Sequence, residues 1–84
     1  MTTPIAAPAV PTPDPDLAQL DNWFSYHSPT PEQVKQYAAI NAASKALARV
    51  IIETCPQSAD RSAALRLVRE ARMTANASIA CGGK

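Results

Sequence analysis

The chain has 84 residues, a net charge of +1 and 8 prolines, five of them within the first 15 positions. Proline removes a backbone donor and is barred from helix interiors and central strands, so residues 1–16 read as a disordered arm and residues 17–84 must build any domain. That length excludes a multi-domain enzyme, a doubly wound α/β sheet and a repeat array, and it makes a self-sufficient core marginal; the near-neutral charge gives no strong field for a nucleic-acid polymer or a membrane.

After the arm, Asp14 or Asp16 can cap a short helix in which Leu17, Leu20, Trp23 and Phe24 share about one face. Ser25 to Pro31 then forms a turn, because Pro29 forces the residue before it to be extended. Thr30, Pro31 and Gln33 make a capping box with proline at the first helical position. The long helix that follows carries Val34, Tyr37, Ile40, Leu47, Val50 and Ile51 at helical spacing and ends near Thr54 or Cys55, before Pro56. Ser58 or Asp60 caps a second long helix, with Leu65, Val68, Ala75 and Ile79 as its apolar positions and Gly82-Gly83 as its stop.

Only those two glycines occur, both near the C-terminus, and 17 alanines are spread mainly over the helices. An all-β chain needs turn signals every 8–12 residues, so the fold class is all-α: an antiparallel two-helix hairpin with a short N-terminal helix. One helix pair cannot enclose its own apolar stripe, so assembly into an oligomer is expected. Cys55 falls at the turn and Cys81 at the far end of the second helix, ~30 Å away. A disulfide spans Cα atoms no more than ~7 Å apart, so the hairpin excludes an intrachain bridge.

The residues carry little chemistry. His27 is the single histidine, carboxylates are sparse, and neither a metal-ligand cluster nor a glycine-rich phosphate loop occurs, so no enzyme and no cofactor are expected. Two features suit a ligand. Trp23, Phe24, Tyr26 and His27 are concentrated in one turn, where an aromatic face can stack on a base or simply pack the short helix. Arg61, Arg66, Arg69 and Arg72 lie on the second helix and can pair with phosphate or form a solvated face with Asp60 and Glu70. The residues alone leave open a structural reading, in which the hairpin is an oligomerisation module without a small ligand.

Several segments in order, Phe24-Ser25-Tyr26-His27-Ser28-Pro29, Tyr37-x-x-Ile40, Leu47-Ala48, Cys55-Pro56, Asp60-Arg61-Ser62-x-Ala64-Leu65 and Glu70-Ala71-x-Met73-x-Ala75-Asn76-Ala77-x-Ile79-Ala80, resemble the hairpin domain of phage anti-CBASS and anti-Thoeris cyclic-nucleotide sponges. The resemblance implies a hexamer of helical hairpins in the host cytoplasm. It also implies partners that are cyclic dinucleotides, cyclic trinucleotides or cyclic ADP-ribose isomers, bound without cleavage. It places a base-stacking aromatic on Tyr26. The family's phosphate-binding lysine falls on Asn41, which brings no charge, and Lys45 stands one turn further on. For trinucleotides it points to the region of Arg61, Arg66 and Arg69. Two further departures are Thr74, where many relatives have tryptophan, and Arg72, where they have a small apolar residue.

Overall fold

The computed structural model describes residues 14–84, so most of the proline-rich arm, residues 1–13, lies outside the described residues. Three helices follow in order, α1 (Pro15–Phe24), α2 (Pro31–Thr54) and α3 (Ala59–Ala80), and no strand occurs among the described residues. The all-α hairpin expected from the sequence is the observed architecture.

Each helix boundary has a local cause. Asp14 caps α1 by accepting a hydrogen bond from the Asp16 amide at 2.9 Å, with Pro15 at the first helical position. The helix therefore starts two residues before Leu17, the expected start of the domain. The reason is the Asp-Pro pair itself: proline's fixed φ suits the first helical position, where its missing N–H costs nothing. At α2 the capping box is reciprocal. The Gln33 amide donates to Thr30 Oγ1 at 3.1 Å, and the Thr30 amide donates to Gln33 Oε1 at 3.0 Å. Pro56 ends α2, and Ser58 caps α3 by accepting from the Arg61 amide at 3.1 Å. At the far end Gly82 and Gly83 take positive φ, +67° and +78°. The Gly83 amide donates to the Ser78 carbonyl and the Gly82 amide to the Ile79 carbonyl, the double bond of a Schellman cap.

Among the described residues, α2 and α3 are the helices that pack along each other. Their seam is lined by Tyr37, Ile40, Ser44, Ala48 and Ile51 from α2 and by Ala64, Leu65, Val68, Ala75 and Ile79 from α3, all half-buried. Alanine and serine at these positions let the backbones approach closely. Gln33 adds a polar brace, its Nε2 donating to the Ile79 carbonyl at 3.3 Å. Inside the seam the amide oxygen of Asn76 is shielded from solvent without a donor, a cost of about 1–3 kcal/mol.

The apolar stripe is wider than the seam. Val34, Leu47 and Val50, read from the sequence as one stripe with Tyr37, Ile40 and Ile51, remain about half exposed, as do Ile52, Leu67 and Met73. No described residue is buried. A soluble domain hides its large aliphatic side chains, and this hairpin leaves most of them on its two flanks.

The short helix α1 does not lie along the hairpin. It is held at its C-terminal turn, where Asn22 Nδ2 donates to the Cys81 carbonyl at 3.2 Å and Trp23 Nε1 to the Lys84 carbonyl at 3.1 Å. His27 closes the end of α1 through its Nε2 and the Asn22 carbonyl, 2.6 Å apart, and Ser25 donates to the Asp21 carbonyl. Of the four apolar residues expected on one face of α1, Trp23 alone makes such an anchoring contact. Phe24 is 83% exposed and Leu17 68%. The cysteines stand at opposite ends of α3, both as free thiols.

Candidate functional site

The antiparallel register brings the middle of α2 opposite the middle of α3. There Asn41, Ser44, Lys45 and Ala48 meet Val68, Arg69 and Arg72 around an open pocket of about 230 Å³. Helical spacing explains the grouping. Asn41 and Lys45 are four residues apart, and Arg69 and Arg72 three, so each pair projects from one side of its helix. Ala48 and Val68 supply the apolar floor, and Lys45, Arg69 and Arg72 the rim.

The electrostatics of the pocket are one-sided. No carboxylate lines it. Among the described residues the one ion pair is Arg49–Glu53, 3.7 Å apart and exposed on α2, and such a pair contributes only about 0.3–0.5 kcal/mol. The pairing of the α3 arginines with Asp60 or Glu70, considered from the sequence, does not form among the described residues. Arg72 instead donates from Nη1 to Asn41 Oδ1 at 3.2 Å. The neutral amide orients the guanidinium over the pocket without neutralising it. Like charges around one concavity repel one another, and an anion set between them relieves that repulsion.

Of the residues singled out from the sequence, Asn41, Lys45 and Arg69 line this pocket. Tyr26, Arg61 and Arg66 do not. Tyr26 sits in the α1–α2 connection, 87% exposed, and ten residues of α2 (~15 Å) separate Pro31 from Asn41. Arg61 is half-buried at the turn end of α3, and Arg66 is exposed. Sequence reasoning did not place Ser44, Ala48 or Val68 at a site, and it named Arg72 only as part of the arginine run on α3. Arg72 carried a signal, because it stands three residues after Arg69 in the arginine run. Its pairing with Asn41 depends on the register across the hairpin, which no local pattern encodes.

A second concavity opens on the other flank, about 350 Å³, between Ala43, Ser44 and Leu47 of α2 and Leu67, Val68 and Ala71 of α3. It contains no charged residue. The hairpin is thus a two-faced layer, basic on one flank and apolar on the other.

The family model described as Acb2/Tad1, hairpin domain, matches residues 16–80, which is 65 of the 84 positions. The chain belongs to this family. It is the family of anti-CBASS and anti-Thoeris sponges that the sequence motifs resemble, and membership carries a phage counter-defence role in binding cyclic nucleotides. The match starts at Asp16, within α1, and ends at Ala80, the last residue of α3, so it spans nearly all of the three-helix unit. Comparison with curated proteins gave no match, and comparison with solved structures gave none. No helix among the described residues is long and apolar enough to cross a membrane.

Proposed function

We propose that this protein is a sponge in the host cytoplasm that sequesters cyclic oligonucleotide immune messengers and releases them intact. The observation that carries the reading is the pocket between α2 and α3, where Lys45, Arg69 and Arg72 surround an apolar floor with no carboxylate among them. Phosphates meet the rim, where arginine gives charge-assisted hydrogen bonds, and a base or ribose meets Ala48 and Val68. Binding here needs only complementary charge and shape. Cleavage would need a nucleophile activated by a general base against the phosphodiester; the pocket's one hydroxyl, on Ser44, has neither a histidine nor a carboxylate beside it in the lining, which supports sequestration.

In this chain the cation that the family carries at position 41 has moved across the hairpin. Asn41 lacks the charge and Arg72, where relatives are small and apolar, supplies it, held by the Asn41 amide. Arg72 is therefore a phosphate ligand in this reading, alongside Lys45 and Arg69. Tyr26 stacks on a base from a neighbouring copy, since its own connection lies ~15 Å from the pocket along α2. The pocket volume of about 230 Å³ falls below the ~300–1,000 Å³ usual for small-molecule sites. One chain thus offers part of a site, and an oligomer such as a hexamer completes it. Arg61 and Arg66 remain for a separate trinucleotide site between copies.

The test is calorimetry of the purified chain against cyclic dinucleotides, cyclic trinucleotides and cyclic ADP-ribose isomers, followed by heating and chromatography of the released ligand. The expected result is binding at nanomolar Kd to at least one ligand, about −12 kcal/mol, with unchanged ligand recovered. No heat across the panel sinks the sponge reading, and hydrolysed ligand sinks sequestration.

A further inference from the structure

The orientation of α1 is inverted for a helix of a small domain. Its half-buried residues are the polar Gln19 and Asn22. Asn22 faces the C-terminal end of α3, through Cys81. Leu17, Leu20 and Phe24 lie at i, i+3 and i+7, a single stripe on the opposite side of the helix. These three are 68%, 43% and 83% exposed. Such a stripe is the anchor pattern of a helix that lies in an apolar groove.

A groove of that kind exists on this chain, between Ala43 and Leu47 of α2 and Leu67 and Ala71 of α3. Half-buried Ser44 and Val68 lie deepest in it, Ala43, Leu47, Leu67 and Ala71 are its exposed sides, and Val50 lies on the same flank of α2, seven residues after Ala43. From Ala43 to Val50 is seven residues, ~11 Å along the helix, and the stripe from Leu17 to Phe24 has the same length. The chain's own α1 cannot reach it. Asn22 and Trp23 are held at Cys81 and Lys84, at the end of the hairpin where α2 begins, and Ala43 lies ~18 Å further along α2 from Pro31. Folding back from that end, Leu17 would extend only ~11 Å beyond Phe24.

We propose that α1 of one copy seats its Leu17, Leu20 and Phe24 stripe in the apolar α2–α3 groove of a second copy. The exchange covers both exposed surfaces with residues of the same chain. It also leaves the opposite, basic flank open for ligand. Returned by the second copy, it closes a two-fold pair; passed on to a third, it generates a ring. The inference rests on the assembly in the reading above and not on ligand binding.

The test places the photo-reactive residue benzoylphenylalanine at position 24 of the full chain, refolds it together with 15N-labelled unmodified chain, and maps the adducts after irradiation. Adducts that join the two isotopic forms, attached within residues 43–50 or 64–71, are expected. Adducts confined to one chain, adducts elsewhere, or none at all overturn the proposal. Sedimentation supplies a second measurement. Leu17→Asp and Leu67→Asp alter exposed side chains, so each chain keeps its helical circular-dichroism spectrum while the association constant falls at least tenfold. Unchanged association in both variants overturns the proposal. Cyclic-nucleotide calorimetry on the same samples keeps the two readings apart: ligand binding without the expected adducts removes the helix exchange and leaves the sponge.

Discussion

Replacing Arg72 with alanine tests whether the charge missing at position 41 has been relocated to position 72. Arg72 donates to Asn41 at 3.2 Å and lines the basic pocket with Lys45 and Arg69. A hydrogen bond to a charged group contributes about 1.5–3 kcal/mol. Both side chains are exposed, so the lower figure applies, and about 1.5 kcal/mol corresponds to a roughly tenfold loss of affinity. Asn41→Lys in the Arg72→Ala background restores the cation on α2, and affinity should return to within about threefold of the parent, a coupling well above the ~0.3–0.5 kcal/mol expected of independent sites. Asn41→Lys alone sets an ammonium against the guanidinium. Two such charges ~4 Å apart repel by about 1 kcal/mol in water, enough to lower the melting midpoint of the ligand-free chain by roughly 4–8 °C. Calorimetry of the four proteins against the tightest-binding cyclic nucleotide, at two salt concentrations, reads the cycle. Binding by Arg72→Ala within twofold of the parent, or a double variant no tighter than Arg72→Ala, refutes the relocation.

Three other outcomes follow from particular residues. Tyr26→Ala should weaken cyclic-dinucleotide binding by about 1–3 kcal/mol, the worth of one stacked base. It should leave the oligomer and the melting midpoint unchanged, because the exposed ring supports nothing in its own chain; a lowered midpoint would show it to be part of a packed interface. Gly82→Ala should destabilise the chain by about 1–2 kcal/mol in urea unfolding. A Cβ there meets nothing within 4 Å, so the loss comes entirely from holding φ at +67°, and Gly82→Asn should recover part of it. Thr30→Ala should cost about 1 kcal/mol by removing the acceptor for the Gln33 amide, detected as faster hydrogen exchange in the first turn of α2.

The helices were legible because their ends are written in local chemistry. Thr30-Pro31 with Gln33, Pro56 after Cys55, and Gly82-Gly83 act within one turn of themselves, and each placed its boundary. The same logic applied to Asp14-Pro15 gives the observed start of α1, two residues earlier than composition alone suggested. What the sequence did not convey was direction. Leu17, Leu20, Trp23 and Phe24 are close on a helical wheel, yet Trp23 turns to Lys84 while the others face away, because the Asn22 and Trp23 hydrogen bonds fix the rotation of α1. The site was half legible for a related reason. Asn41 with Lys45, and Arg69 with Arg72, are visible as pairs along one helix. Their meeting is a property of the register between helices, set by the short connection from Cys55 to Ser58.

Gln33 shows how that register constrains a residue choice that looks free. In an isolated helix the third capping-box position accepts glutamate or glutamine equally well, since only a side-chain oxygen is required. Here the oxygen serves Thr30 while the amide nitrogen reaches across to Ile79. A carboxylate has no proton to give the Ile79 carbonyl and would face it oxygen to oxygen. Two residues synonymous for starting α2 are thus not synonymous for bracing it to α3, and a motif of purely local grammar acquires a meaning at the level of the whole hairpin.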